Sequence, residues 1–381
     1  MIAITNAKVV LETEILLHGV ILVEGDTIVK VGPAGETDIP AGARIIDAGN
    51  AYVGPGFVDI HVHGGGGNFF EDDPEKAAAH FLAHGETTVL ATLYYNLSKE
   101  GYLAAIEKIR AAMERGNTPI KGLYMEGPYM NPKYGAMPER NKWRGEITPD
   151  RYRQLVDAAG NLAKVWAVAP EREGIEDFVR YTKKVNPEAV IAVGHSEATP
   201  AQIRQLKKYG LTLQTHCMDA TGQVTDWAGT RGAGPDEACL LDADMYAELI
   251  CDSMGVHVNP DLINLILQVK GWDKVVLITD SFVSDAPGPE GLRHAADLIF
   301  DDNRNLCGSR LTMDAACRNL MTHTGCSLQQ AFLLASRNPA RAIGLDHEIG
   351  TIAEGKKADL VFVDHTFRVK KVMHNGRETT C

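Results

Sequence analysis

The stretch that decides the fold reads PGFVDIHVHGGGG and spans residues 55–67. Apolar residues alternate here with an aspartate and two histidines, which is the period of an extended strand. His61 and His63 are two residues apart, so we expect both imidazoles on one side of that strand, close enough to share a cation. Four glycines follow and leave open space beyond the strand end. Such a pair often binds metal, although it also occurs on ordinary half-exposed strands.

Length and composition describe a globular chain with an acidic surface. Its 381 residues accommodate a barrel of about 250 residues and a smaller domain. The formal net charge of −12 argues against nucleic acid or an anionic membrane as a partner, because both require a basic surface. Seven cysteines, an odd number without a CxxC pair, indicate reduced thiols. With no export signal and no long apolar run, we expect a cytoplasmic protein.

The order of predicted elements indicates two domains. Residues 1–53 and 346–381 are rich in short strands and are expected to pair as one small β-sandwich. Residues 54–345 alternate strands with helices, which predicts a parallel sheet closed as a (β/α)₈ barrel. The strands are predicted at 57–62, 87–92, 120–125, 165–170, 189–194, 211–215, 251–256 and 275–279. A helix is predicted at 240–249, before the seventh of these strands.

Polar side chains follow the apolar runs of five predicted strands, at the end where a barrel carries its active site. They are His61 and His63, Glu126, His195, His216 and Asp280. A single polar residue of this kind would be explained as the hydrogen-bonded end of a strand. Histidines and carboxylates at the ends of five strands favour a metal site instead.

This donor set suits one or two divalent ions, Zn²⁺ first, with Fe²⁺ or Mn²⁺ as alternatives. An ion with an open position activates water. Asp280 is then our candidate for the base that takes the proton from water and delivers it to the leaving group. Glu126 is the candidate for a ligand that bridges two ions.

With these residues identified, the chain resembles the N-acetylglucosamine-6-phosphate deacetylase family of the amidohydrolase superfamily. The resemblance rests on the His-x-His strand, Glu-Gly-Pro at 126–128, Gly-His-Ser at 194–196, Gly-Ser-Arg-Leu-Thr-Met at 308–313 and Gly-Lys-Lys-Ala-Asp at 355–359. It implies a barrel with a β-sandwich built from both termini. It also implies hydrolysis of an N-acetylated amino-sugar phosphate to acetate and the free amine, such as glucosamine 6-phosphate.

The same resemblance implies a role for each site residue. Glu126, His195 and His216 would bind one metal ion, His61 and His63 would supply a second position, and Asp280 would be the catalytic carboxylate. His257 and Arg231 would contact the substrate, the arginine reaching the phosphate from the neighbouring subunit of a homodimer.

The chain departs from the family pattern around the substrate. Met137 stands where the family has a histidine, and a thioether cannot donate a hydrogen bond. Asp219 and Ala220 stand where the family has Asn-Ala, and an ionised aspartate repels a phosphate. The segment from His216 to Arg231 is also longer than usual. These departures leave the sugar and its phosphate open.

Two kinds of alternative follow from those departures. The first keeps the chemistry but changes the amide, to an N-acetylgalactosamine-type or unphosphorylated sugar, an N-acyl amino acid or a cyclic amide. The second is a non-catalytic sugar-binding protein, which the replaced loop histidine favours. The complete set of metal-binding groups argues against it, since a protein that only binds sugar does not need them.

Overall fold

Two eight-stranded sheets organise the computed structural model, which describes residues 1–225, 227–292 and 294–379. The strands are β1 (Ile2–Val10), β2 (Ile15–Glu24), β3 (Thr27–Pro33), β4 (Arg44–Asp47), β5 (Tyr52–Pro55), β6 (Phe57–Val62), β7 (Gly64–Gly65), β8 (Asn68–Phe69), β9 (Glu86–Tyr94), β10 (Ile120–Glu126), β11 (Ala163–Val168), β12 (Val190–Val193), β13 (Leu211–Gln214), β14 (Tyr246–Ile250), β15 (Val275–Ile278), β16 (Leu298–Phe300), β17 (Leu306–Ser309), β18 (Leu360–Val363), β19 (Val369–His374) and β20 (Arg377–Glu378).

The helices lie mainly between the strands of the second sheet. They are α1 (Pro74–Ala83), α2 (Lys99–Glu114), α3 (Pro149–Ala159), α4 (Ile175–Val185), α5 (Pro200–Lys207), α6 (Pro235–Leu241), α7 (Pro260–Lys270), α8 (Met313–Thr324), α9 (Leu328–Phe332) and α10 (Asn338–Ala342). Short 3-10 turns occupy Pro138–Arg140, Gly160–Leu162 and Glu290–Leu292, and a π-helical turn occupies Leu333–Arg337. Within the described residues, no helix combines the length and the apolar character needed to cross a bilayer.

The barrel sheet consists of β6 and β9 to β15, and all neighbouring strands in it are parallel. Its edge strands meet, because the backbone N–H of Asp280 donates to the carbonyl of His61 at 2.9 Å and that of His63 donates to Ser281 at 2.9 Å. The buried carboxylate of Asp59 on β6 accepts the hydroxyl of Thr279 across the same junction. The predicted (β/α)₈ topology is therefore confirmed.

Sequence patterning explains the layers around this sheet. All six residues of β6 are buried, as expected for a barrel strand covered on both faces. Helix α2 buries one face, which includes Tyr102, Ile106 and Ile109, and the Ser98 side chain caps its first turn by accepting from Gly101 N–H.

One predicted helix is wrong. Residues 240–249 do not form a helix: α6 ends at Leu241, a short loop follows, and β14 begins at Tyr246. Ala, Glu and Leu favour helices in isolation, but here the backbone pairs with strands on both sides. The predicted strand at 251–256 is instead a loop, which begins directly after β14 at the barrel rim.

The terminal sheet joins both ends of the chain. Its order is β3-β2-β1-β5-β18-β19-β20, and β1 pairs with β4 over its first half and with β5 over its second half. β18 runs antiparallel to β5, which places the C-terminal strands beside the N-terminal ones, as predicted. The domain boundaries at residues 53 and 346 stay predictions.

A cluster of phenylalanines packs where the two sheets meet. The ring centroids of Phe57 and Phe332 are 5.6 Å apart, and those of Phe332 and Phe367 are 5.0 Å apart. Gly54 on β5 lies against this cluster, and a Cβ atom there would come within 2.3 Å of the Phe332 ring. The absence of a side chain at residue 54 therefore allows the close approach of sheet and ring.

We expect Gly54→Ala to lower the free energy of unfolding by about 1–3 kcal/mol, because the Phe332 ring must move to admit a methyl group. Urea unfolding measures this as a lower midpoint. The matched control is Gly35→Ala, since a Cβ at Gly35 meets no atom within 4 Å. Equal midpoints for Gly54→Ala and the control would contradict this account of the junction.

Candidate metal centre and active site

Six side chains converge at the carboxyl-end rim of the barrel sheet and form two triads. One triad is His61, His63 and Asp280, and the other is Glu126, His195 and His216. Within each triad the potential ligand atoms lie within 4.8 Å of one another. Five of the six residues are buried, and the side chain of Asp280 is 13% exposed. The structure thus brings together every residue that the sequence predicted as a metal ligand, together with the predicted catalytic aspartate.

Glu126 lies between the two triads. Its Oε1 is 2.7 Å from Nε2 of His195 and 3.3 Å from Nε2 of His216, while its Oε2 is 3.4 Å from Nε2 of His63. Asp280 Oδ1 lies 3.2 Å from the same His63 nitrogen and 3.7 Å from Nε2 of His61. One carboxylate therefore reaches both triads, which is the arrangement of a bridging ligand.

These donors fit a divalent cation. The Nε2 atoms of His195 and His216 lie only 3.1 Å apart, and Nε2 of His61 is buried with no hydrogen-bond partner in the described parts of the chain. Imidazole nitrogens turned toward each other and toward carboxylates are compatible with a shared positive ion.

The histidines keep the two central carboxylates ionised. Burial opposes the charge of Glu126, but the positive charge of His195 and hydrogen bonds from His195 and His216 hold the pKa of Glu126 well below its usual range. Burial likewise opposes ionisation of Asp280, and a hydrogen bond from His63 with the charges of His61 and His63 lowers the pKa of Asp280. Both acids are thus available as anions: Glu126 can bind a cation, and Asp280 can accept a proton.

The backbone is left-handed where several of these side chains leave their strands. The φ angles are 44° at His195, 26° at His216 and 47° at Asp280. Such backbone costs on the order of 1–3 kcal/mol at each non-glycine residue and clusters at functional sites. Each of the three residues lies two positions beyond the end of its strand, where the chain turns at the barrel mouth.

A cavity of about 230 Å³ opens beside the triads. Of the predicted substrate-binding residues, Asp219, Ala220 and His257 line this cavity. Its wall also includes Tyr94 and Phe282, together with carboxylates and histidines of both triads. None of the lining residues identified in the described chain is a lysine or arginine.

The other two predicted substrate-binding residues do not line this cavity. Met137 is 7% exposed, and the cavity is lined instead by the two preceding residues, Gly135 and Ala136. Arg231 has a 75% exposed side chain and pairs with Glu237 at 2.7 Å. Its predicted contact therefore requires a second subunit and stays a prediction.

The partner of His257 was not predicted from the sequence. Asp252, in the loop after β14, accepts from Nδ1 of His257 at 3.1 Å and from the backbone N–H of His257 at 2.9 Å. Nε2 of His257 is buried with no partner among the described residues. Burial disfavours charge on both groups, but their hydrogen bond lowers the pKa of Asp252 to about 2 and raises that of His257. The short spacing between an aspartate and a histidine after an apolar run was the available signal.

Glu248 was also missed, because its strand was predicted as a helix. Its side chain is fully buried, and Oε2 accepts from Nδ1 of His61 at 3.0 Å. The hydroxyl of Tyr124 donates to the same oxygen at 3.4 Å. An acid within the apolar run Tyr246–Ile250 was the sequence feature that could have identified it.

Comparison with known proteins identifies the family. Residues 52–379 match the model of the Amidohydrolase family, to which the chain therefore belongs. Proteins of this family are metal-dependent, in agreement with the two triads.

Within the family, the similarity extends over whole chains of sugar-phosphate deacetylases. The chain is 32% identical to an N-acetylgalactosamine-6-phosphate deacetylase of Escherichia coli O157:H7, over 85% of this chain and 86% of that one. It is 26% identical to an N-acetylglucosamine-6-phosphate deacetylase of Haemophilus influenzae over 98% of both. The crystal structure of the N-acetyl-D-glucosamine-6-phosphate deacetylase from Mycobacterium smegmatis superposes with a TM-score of 0.83, 31% identity and full coverage of both chains. The predicted relationship is confirmed.

We expect the Asp252–His257 pair to make a pH-dependent contribution to the free energy of unfolding. Because the pKa of Asp252 falls from 3.8 to about 2 on folding, the ionised carboxylate stabilises the fold above about pH 4, and this contribution is lost as the pH falls toward 2. We expect Asp252→Asn to be less stable than the parent by about 2 kcal/mol near pH 6, with a smaller difference near pH 3.

Urea unfolding at both pH values measures this difference. The exposed Asp261 on α7 provides the control variant Asp261→Asn, for which we expect a change within about 0.5 kcal/mol at either pH. A difference for Asp252→Asn that stays constant, or grows as the pH falls, would contradict the account.

Proposed function

We propose that this protein is a metal-dependent deacetylase that hydrolyses the N-acetyl group of an amino-sugar phosphate. N-acetylglucosamine 6-phosphate is the first substrate to consider, and N-acetylgalactosamine 6-phosphate is the second. The observation that supports this most directly is the pair of triads joined by Glu126 beside one cavity. The chain is also similar over at least 85% of its length to deacetylases of both sugars.

The metal would be held by the two triads. Glu126, His195 and His216 would bind one ion, and His61 and His63, with Asp280 beside them, would form a second position. Imidazole with carboxylate suits Zn²⁺ first and Fe²⁺ or Mn²⁺ next. Such an ion supplies Lewis-acid activation of water and of the acyl carbonyl.

The chain's own residues would move the proton and hold the sugar. Asp280, held ionised by its histidine neighbours, accepts a proton from the attacking water and transfers it to the amine as the C–N bond breaks. The products are acetate and the free amino sugar. His257, oriented by Asp252, presents its free Nε2 as a hydrogen-bonding group for the substrate.

The phosphate would need positive charge from outside the subunit. The identified cavity lining offers no lysine or arginine, and Asp219 adds a carboxylate. We therefore include a homodimer in the proposal, in which the exposed Arg231 of the partner subunit reaches the 6-phosphate. This arginine is held only at the surface, by Glu237, and is free to take another anionic partner.

Asp219 also favours a second candidate function. An unphosphorylated N-acetylated amino sugar would place neutral hydroxyl groups, rather than a dianion, near this carboxylate. An N-acyl amino acid, by contrast, would bring its own carboxylate into the same acidic cavity. This alternative is therefore less favoured.

An acetate-release assay distinguishes these substrates. We expect the metal-loaded protein to release acetate from N-acetylglucosamine or N-acetylgalactosamine, with a higher kcat/KM for the 6-phosphate form of the preferred sugar. A chelator should abolish the activity and Zn²⁺ should restore it. Higher kcat/KM for the unphosphorylated sugar would favour the second candidate. A metal-loaded chain that releases no acetate from any of the four compounds would contradict both.

We expect Asp280→Asn to lower kcat by about 10²–10⁴-fold, because the amide cannot accept and return the proton. The variant should still contain metal, since the remaining histidines and Glu126 keep their donor atoms. Acetate release and metal content are measured on the same sample. The matched control is Asp285→Asn, which changes an exposed aspartate on the following loop. Full turnover by metal-replete Asp280→Asn would remove Asp280 from this role.

A further inference from the structure

Glu248 places a carboxylate inside the barrel, where it contacts elements that support both triads. Its side chain is fully buried, and Oε2 accepts from Nδ1 of His61 at 3.0 Å, from the backbone N–H of His216 at 3.2 Å and from the hydroxyl of Tyr124 at 3.4 Å. Oε1 has no partner among the residues that the structure describes. An anion in such a place is unfavourable unless positive charge lies close by.

The four triad histidines differ in what supports their outer nitrogen. Nδ1 of His61 donates to the carboxylate of Glu248, and Nδ1 of His216 lies 3.1 Å from the backbone carbonyl of Asp219. Nδ1 of His63 and Nδ1 of His195 are buried without a hydrogen-bond partner in the described chain. Among these four rings in the described chain, His61 is therefore the one with an acidic partner on its outer nitrogen.

The hydrogen bond from His61 sets its tautomer. A carboxylate only accepts, so Nδ1 carries a proton, and in the neutral imidazole Nε2 then presents its lone pair. That lone-pair nitrogen lies 3.8 Å from Oε1 of Glu126 and 3.7 Å from Oδ1 of Asp280. A carboxylate behind an imidazole also makes it a stronger metal ligand.

Tyr124 fixes the same ring in a second way. Its ring stacks on that of His61, with centroids 4.3 Å apart, while its hydroxyl is shared between Glu248 and the Oγ1 atom of Thr215, 2.8 Å away. The ring plane and the proton of His61 are thus both determined by residues that are not themselves in the triads. His63 instead packs edge-on against the rings of Tyr94 and Phe282, with centroids 5.2 and 5.4 Å away, and its Nδ1 has no hydrogen-bond partner in the described chain.

We propose that Glu248 is a positioning residue that acts through His61 and decides whether the chain holds one metal ion or two. It strengthens the His61–His63–Asp280 position specifically and leaves the Glu126–His195–His216 position largely unaffected. This inference rests on the proposed metal centre, but it is independent of the proposed substrate, because metal content is measured without any sugar.

The test is a Zn²⁺ titration of the metal-free, full-length protein by equilibrium dialysis, with bound zinc measured by mass spectrometry. We expect two binding steps in the parent chain. Glu248→Gln should weaken one step about 10–100-fold and change the other less than about threefold. His61→Asn identifies the step that belongs to the His61 position. In the His61→Asn background, Glu248→Gln should cause no further loss, because its effect passes through that imidazole.

The control is Glu86→Gln, which makes the same substitution at another fully buried glutamate of the barrel sheet. Glu86 accepts from the backbone N–H of Met313 at 2.6 Å and has no hydrogen bond to either triad in the described chain. We expect this variant to keep both binding steps. If Glu248→Gln does not fold, Glu248→Asp, whose shorter side chain withdraws from His61, should give the same selective loss.

Three results would overturn the proposal: a parent chain that binds a single zinc ion, a Glu248→Gln variant with both steps unchanged, or equal weakening of both steps. The zinc titration and the substrate assay can fail independently of each other. A chain that binds two ions as expected but releases no acetate would refute the proposed function and leave the role of Glu248 intact.

Discussion

The hydrogen bond from the backbone N–H of Asp280 to the carbonyl of His61 closes the barrel and also brings together two residues of the candidate site. It joins the last strand to the first, and the two residues that it connects belong to the same triad. The hydroxyl of Thr279 donates a hydrogen bond to the carboxylate of Asp59 at the same junction, deeper in the barrel. A parallel sheet left open at this point would separate the predicted proton carrier from the histidines that keep it ionised.

The site concentrates features that are unfavourable elsewhere in a protein. Glu126 and Glu248 are buried acids, Asp280 is only 13% exposed, and His195 and His216 occupy left-handed backbone. Hydrogen bonds and imidazole charges offset the burial, and the surrounding barrel holds the strained turns in place. The same groups are useful for chemistry because water does not compete for them, so a cation or a substrate carbonyl meets donors that are already oriented.

Chemistry and specificity have different structural origins in this chain. The triads come from the ends of barrel strands, where this fold carries its active sites. The residues that would discriminate among sugars lie on loops, namely Asp219 and Ala220 after β13 and His257 after β14. Loops tolerate insertion and substitution, and the departures from the family pattern are found there.

Seven of the eight barrel strands and the candidate site residues followed from local pattern. Alternation placed His61 and His63 on one side of β6, and apolar runs that end in a polar residue marked Glu126, His195 and Asp280. The period of a strand is a property of the backbone, and a buried strand needs apolar residues wherever it lies. These features are therefore visible without a tertiary structure.

Contacts between distant segments were decided only when the barrel closed. Glu248 lies 187 residues from His61, in a segment whose composition favours a helix. The hydrogen bond between its carboxylate and the His61 imidazole forms only in the folded barrel. Met137 follows two residues that line the cavity but does not line it itself, and Arg231 is exposed and pairs with Glu237. The sequence by itself determined which residues the barrel offers at its rim. The tertiary structure decided which of them meet, because hydrogen bonding and side-chain direction depend on strands that are neighbours in space and not along the chain.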